Sequence, residues 1–307
     1  MPDKTNQLKG SLAALIVNLI FGFSFLFSKV SLKYAHPLVI LASRFTIAFA
    51  VMNLLWLTGI VKLKFKGKPK KRILMMSIAQ PLLYFILELY GIENTSSAIS
   101  GVIISLVPVI VIVLSVVFLR EKPTLRQVLF SLLSLISISV ISILADNGAK
   151  NKLLGIILLL GAALCAAVFN ILSRTESEHY SPFERTYIMF LVGTVGFNVI
   201  ATIGLRGRYI TEITSAFTSF EFIGAILYLS VASSIVAFML YNYSTTILTP
   251  VRSASFSNLI TVVSVLAGIF ILGEKLSVSQ LICCVLIIAG VWGVNQKTTS
   301  DNKKAAE

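Results

Sequence analysis

Apolar and polar positions along this chain separate into long blocks, with no extended strand-like alternation. Ten apolar blocks run over about 11–32, 37–59, 73–92, 97–119, 125–145, 153–173, 184–205, 221–246, 251–272 and 277–295. Each is close to the ~20 residues that a helix needs to cross a hydrocarbon core ~30 Å thick. Polar or helix-stopping segments divide them, such as "KLKFKGKPKKR" at 62–72, "ADNGAKNK" at 145–152, "RTESEHYSP" at 174–182 and "RGRYITE" at 206–212. Several blocks are rich enough in Ile and Val to read as buried strands. Their length favours helices, and backbone exposed to lipid must satisfy its own hydrogen bonds. The pattern therefore predicts an all-α integral membrane protein with ten transmembrane helices.

Composition agrees. Charged residues are 13% of the chain, against ~25% in soluble domains, and mean hydropathy is +0.91. The net charge of +13 raises nucleic acid as a partner, but the basic residues sit in short connectors, where they set topology. With the N-terminus inside, 18 Lys and Arg fall on the inner side and seven on the outer, and Arg44 lies within a span to complete the 26. That asymmetry places both termini in the cytoplasm and the protein in the plasma membrane. The first block ends in "FLFSKVSLKYAHP" with no small-residue cleavage site, so it reads as a retained helix.

Cys165, Cys283 and Cys284 lie inside apolar blocks, and His36 and His179 lie at block ends. No CxxC or Cys/His cluster results, so no metal, disulfide framework or cofactor is expected. The sequence holds no GxxxxGK[ST] phosphate loop, which leaves ATP-driven transport by this chain without support.

A repeat lies across the blocks. A shift of 153 aligns "LREKPTLRQ" (119–127) with "LGEKLSVSQ" (272–280), and also pairs Tyr90 with Tyr243. A shift of 145 aligns "SKVSLKYAHP" (28–37) with "SRTESEHYSP" (173–182). The order of these matches predicts two homologous halves of five helices, 11–145 and 153–295. Five is odd, so the second half enters the membrane from the opposite face. This is the inverted repeat of secondary transporters, whose substrate sites lie near the midplane between halves.

The run "Y…N-T-S-S-A…S-L-V-P-V…F-L-R-E-K-P-T…Q" and the ending "F-I-L-G-E-K-L-S…Q…G-V" resemble the EamA family of the drug/metabolite transporter superfamily. The resemblance covers roughly 11–295. It implies a ten-helix inverted-repeat bundle in which helices 1, 3, 4, 6, 8 and 9 line a central cavity and helices 5 and 10 are peripheral. One departure is Thr261, which aligns with Pro108 where the family often has proline.

Glu88, in "YFILELYG", is the most informative residue. A carboxylate inside a span costs about 2.5–3.5 kcal/mol at the helix centre. It reads as a proton-coupling group, as a counter-charge for a cationic substrate, or as an ion-pair partner of Arg44. Tyr84 lies four residues before it and shares its helix face, forming a wall suited to an organic cation. Tyr241 stands where the second half would repeat Glu88, so the acid is not duplicated. Asn18, Asn170 and Asn258 fall in helices one, six and nine, as substrate contacts or interhelical glue. Phe21 and Phe25 share one side of the first helix and face either the cavity or lipid. Pro81 and Pro108 are expected to break the ladders of helices three and four. Glu121 and Glu274 are helix-end or gate-rim residues.

The function that follows is secondary active transport of small organic metabolites by alternating access, with no enzymatic activity. The family resemblance points to export of amino acids or related compounds. Glu88 is the natural proton acceptor, the partners are a small-molecule substrate, protons and lipid, and a monomer is expected. Two alternatives stand beside it: an organic-cation or quaternary-amine transporter, in uptake or multidrug efflux, and more remotely an intramembrane enzyme, which would need clustered His, Asp, Cys or Ser at one depth.

Overall fold

The computed structural model describes residues 4–94, 103–104, 106–120, 123–144, 152–260, 262–263 and 278–295. Every regular element among them is helical. The first part of the chain folds as α1 (Lys4–Ser31), α2 (Pro37–Leu57), α3 (Lys70–Ser77), a π-helical segment (Ile78–Leu83), α4 (Tyr84–Glu93), α5 (Val107–Leu119) and α6 (Leu125–Leu144). There follow α7 (Lys152–Glu176), α8 (Pro182–Leu205), α9 (Arg208–Ala216), α10 (Phe220–Leu227), a second π-helical segment (Tyr228–Val236) and α11 (Ala237–Ile247). Last come α12 (Pro250–Ser255), a 3-10 turn (Phe256–Asn258) and α13 (Val278–Asn295).

Among the described residues, five stretches are long and apolar enough to cross a membrane: Thr5–Ser24, Pro37–Leu57, Leu153–Glu176, Pro182–Leu205 and Phe220–Ile247. Shorter apolar helices occupy Val107–Leu119, Leu125–Ser137 and Val285–Val294. The outward surface carries large apolar side chains such as Val117, Phe118, Ile136, Ile203 and Trp292. The chain is a helical, multi-pass membrane-type protein.

The repeated connectors are helix-start signals. Pro37 and Pro182 each stand in the first turn of a long helix, where proline's missing N–H is not needed. His36 Nδ1 accepts from the Leu38 N–H at 3.2 Å. Ser181 and Glu184 form a reciprocal capping box, with Ser181 Oγ accepting from Glu184 N–H at 3.2 Å and Glu184 Oε2 from Ser181 N–H at 2.9 Å.

Pro81 and Pro108 behave differently from one another. At Gln80 the backbone is extended, φ −145° and ψ 123°, because a following proline disfavours the helical region. The Gln80–Pro81 peptide is cis. Pro108, expected to interrupt a helix interior, instead lies in the first turn of α5, where it costs no hydrogen bond. The segment 206–212, expected as a connector, supplies the start of α9, entered through Gly207 at φ 82°.

Within the bundle α2 packs on α8, α1 on α11 and the second π-helical segment, α4 on α7, and α6 on α13. The centre is aromatic: Phe45, Phe169, Phe190, Phe197 and Phe238 are buried together with Met52 and Met76. The α6–α13 contact depends on glycine. A Cβ at Gly293 would lie 2.3 Å from the Phe130 ring, and one at Gly290 would lie 2.0 Å from Ser134 Oγ and 2.9 Å from the Phe130 carbonyl oxygen. Small residues let backbones approach where lipid offers no hydrophobic drive between helices.

Candidate functional site

The second π-helical segment opens the backbone of an apolar span and supplies hydroxyls. Ser230, Ser233 and Ser234 on it are buried. Ser234 Oγ donates to the Leu229 carbonyl five residues back at 2.8 Å, and Ser230 Oγ to the Ile226 carbonyl at 2.6 Å. Arg44, about two turns into α2, reaches across to this segment and is only 5% exposed. Its Nε donates to Ser234 Oγ at 2.7 Å, and its Nη2 to Ser233 Oγ at 2.9 Å and the Ser233 carbonyl at 3.4 Å. Ser24 Oγ of α1 donates to Ser233 Oγ at 2.6 Å, so three spans meet here. The guanidinium carbon lies 5.1 Å from the Phe85 ring centroid and 5.6 Å from that of Phe45. Nη1 has no hydrogen-bond partner among the described residues.

Tyr84 and Glu88 come together as their spacing requires, the Tyr84 hydroxyl donating to Glu88 Oε1 at 2.7 Å. Arg44 and Glu88 do not close an ion pair within 4.0 Å, although Arg44, Tyr84 and Glu88 are near enough to act on one another electrostatically. Glu88 is partly exposed. The fold thus gathers a buried cation, a carboxylate, a phenol and two serine hydroxyls from three separate helical stretches.

The other candidates lie elsewhere. Tyr241 stacks on Phe169 with centroids 5.3 Å apart and meets the side chains of Asn170 and Ser253. Asn170 Oδ1 and Asn258 Oδ1 are buried without a partner among the described residues. Asn18 Nδ2 is turned back to the Ala14 carbonyl at 2.6 Å, and Phe21 packs edge-on to Phe238 at 5.6 Å. Phe25 lies in α1, but its side chain is outside the described residues, as are Glu121, Glu274 and Thr261.

Two features escape a reading of the sequence. The first is the serine pair itself, whose signal is the doublet in "VASSIV". The second is Arg185, counted among connector charges but lying in the first turn of α8 with 0% exposure. Its Nη1 donates to the Ser173 carbonyl, to Ser173 Oγ at 2.9 Å and to Thr245 Oγ1 at 3.2 Å. Its Nη2 donates to the Asn242 carbonyl and to Thr246 Oγ1 at 2.7 Å. Ser173 Oγ in turn donates to Asn242 Oδ1 at 2.8 Å, and Asn242 Nδ2 to Thr186 Oγ1 at 3.0 Å. Nearby, the buried Glu176 has neither carboxylate oxygen hydrogen-bonded among the described residues, with Arg72, His179 and Arg185 acting on it electrostatically.

The EamA-like transporter family matches the chain twice, over residues 8–143 and 153–296. The uncharacterized transporter YcxC of Bacillus subtilis is 34% identical over 98% of this chain and 97% of its own. An uncharacterized transporter of Archaeoglobus fulgidus is 25% identical over 90% of this chain and 95% of its own. A WAT1-related protein of Arabidopsis thaliana is 23% identical, covering 95% of this chain and 86% of its own. A solved crystal structure shares the fold at a TM-score of 0.78 and 17% identity, over 93% of this chain and 97% of that one.

Proposed function

The chain belongs to the EamA-like transporter family, and from that premise we propose that it is a secondary active transporter of small organic metabolites, such as amino acids or related compounds. It works by alternating access in the plasma membrane, with both termini cytoplasmic and export as the direction. The observation that carries the reading is the constellation of Arg44, Ser233, Ser234, Tyr84 and Glu88 inside apolar spanning helices. Ionisable side chains at such depth are costly and mark substrate or ion pathways.

Two inverted halves underlie the mechanism, and the positions of the helices support them. α1 and α7 end 145 residues apart, at Ser31 and Glu176, and α2 and α8 begin 145 apart, at Pro37 and Pro182. α6 and α13 begin 153 apart, at Leu125 and Val278, and α4 and α11 likewise, at Tyr84 and Ala237. Packing follows the relation too. α2 meets its counterpart α8, α6 meets α13, and the α1–α11 contact is answered by α7 on α4. Rocking of one such half against the other gives alternating access around a fixed site. Glu88 is the coupling acid of this scheme, protonated on one side and released on the other. Pro81 is the break about which the outer part of its helix moves.

Purified protein in liposomes tests the proposal. Gradient-driven accumulation of a labelled metabolite is the expected result, and chemical turnover without flux would point instead to an intramembrane enzyme. A second reading, transport of an organic cation or quaternary amine, is favoured by one observation, the Tyr84–Glu88 wall beside Phe85. Retained flux of choline with no flux of carboxylated metabolites would select it.

A further inference from the structure

We propose that Arg44, held by Ser233 and Ser234, binds the carboxylate of a zwitterionic substrate, whose ammonium faces Glu88 and Tyr84. This rests on the transport reading and assigns a chemical class to its site. The starting point is an imbalance. Arg44 is a cation in an apolar span, 5% exposed, and no carboxylate lies within 4.0 Å of it among the described residues. Among the described residues its polar partners are two serine hydroxyls and one carbonyl. Neutral acceptors orient a guanidinium without neutralising it, and a desolvated charge left so is costly.

The orientation is specific. Nε and Nη2 are both committed to the second π-helical segment, and the neighbouring Phe85 and Phe45 rings lie beside the group. Nη1 is left over. An arginine fixed along one edge, with a donor to spare, is a preformed acceptor of an oxyanion, because charge-assisted bonds from a planar guanidinium are strong and directional. Glu88 is close but unpaired with it, and one of its oxygens is engaged by Tyr84. A simple anion on Arg44 would face the Glu88 charge, and a simple cation at Glu88 would face Arg44. A molecule carrying both charges satisfies both groups. The same reasoning explains why the two residues are kept apart: a closed Arg44–Glu88 pair would leave nothing for a ligand to bind.

The experiment uses the purified full-length protein and matched probes: leucine, isocaproate and isoamylamine; phenylalanine, hydrocinnamate and phenethylamine; glycine betaine and choline. Ligand-induced thermal stabilisation reports affinity, and flux is followed in proteoliposomes. The expected result is that at least one zwitterion binds, with its decarboxylated partner weaker by roughly 10- to 100-fold, the range for losing a charge-assisted hydrogen bond. Arg44→Gln should abolish that difference by weakening the zwitterion while the amine, no longer facing a cation, binds as tightly as before or more tightly. Arg44→Lys, which keeps the charge but not the fork, should retain part of the preference and serves if the glutamine variant does not fold. An amine binding as tightly as its carboxylated parent, a preference that survives Arg44→Gln, or no binding by any carboxylated probe would each overturn the assignment. Flux of an amine with no carboxylate preference removes the subsite and leaves transport standing. Carboxylate-selective binding without flux does the reverse.

Discussion

Arg44 and Arg185 bring the same side chain into apolar helices that pack against each other, α2 and α8, and their surroundings use it in opposite ways. Arg185 has both terminal nitrogens engaged by five acceptors drawn from α7 and α11, while its Nε is buried without a partner among the described residues. It stitches three helices together at one end of the bundle. Arg44 touches two serines on one segment, lies beside two neighbouring rings and keeps Nη1 free of any described partner. Burial is common to both arginines. What differs is the anchoring of the terminal nitrogens, by acceptors from two helices for Arg185 and from one segment for Arg44.

The sharpest way to break the comparison is to remove the arginine with both terminal nitrogens engaged. Arg185→Gln removes the guanidinium from the Ser173 carbonyl and disturbs the Ser173–Asn242–Thr186 chain, while the Asn242 carbonyl keeps the Thr245 and Thr246 hydroxyls. A buried acceptor left unsatisfied costs about 1–3 kcal/mol, so a loss at the upper end of that range is expected, read as a large fall in unfolding temperature and yield. Substrate selectivity of whatever folds should be unchanged. An equally large effect from Arg44→Gln would erase the distinction.

A packing lesion remote from both arginines gives the scale. Gly290→Ala drives a methyl against Ser134 Oγ and the Phe130 carbonyl oxygen, and overpacking of that kind costs about 1–3 kcal/mol. Thermal unfolding should show it, with apparent affinity for transported probes unaltered. Arg44→Gln ranks below this in stability, at about 1 kcal/mol or less, because its acceptors have other bonds. Ser234 Oγ still donates to the Leu229 carbonyl, and Ser233 Oγ still receives Ser24 Oγ. Transport by the Arg44→Gln protein should nevertheless fall at least tenfold, roughly the value of one charge-assisted bond. Small stability loss with large functional loss is the signature that distinguishes it from Arg185.

How much of this could be read from the sequence differs by range. Helix starts at Pro37 and Pro182, the break at Pro81 and the Tyr84–Glu88 hydrogen bond all follow from residues at most four apart, whose geometry local rules fix. Pro108 was misplaced because an apolar run beginning near 97 hides where α5 starts. Arg185 stands at the very start of the block 184–205, and its burial is not legible there because its partners Asn242, Thr245 and Thr246 lie about 60 residues downstream. The Arg44–Ser234 contact spans 190 residues and leaves no periodic trace. Glu88 was legible as costly, but its separation from Arg44 was not, since depth along two helices does not specify which faces meet.

The smallest effect is expected where a charge pair is easiest to see. Lys68 Nζ lies 2.7 Å from Glu184 Oε2, with the lysine side chain 24% exposed, and it sits 4.9 Å from the Tyr180 ring centroid. The same carboxylate also accepts from Lys64 N–H at 2.8 Å and Ser181 N–H at 2.9 Å. Those backbone donors remain when the lysine is removed, so the 62–69 connector stays attached to the start of α8. Lys68→Met should therefore cost about 0.2–1 kcal/mol, the range of an accessible ion pair, and the difference from wild type should shrink as salt shortens the screening length. Parallel unfolding curves at low and high ionic strength measure it. A loss exceeding that of Arg44→Gln and insensitive to salt would mean that this rim contact, and not the anchoring of a buried guanidinium's terminal nitrogens, separates the structural from the functional charges in this bundle.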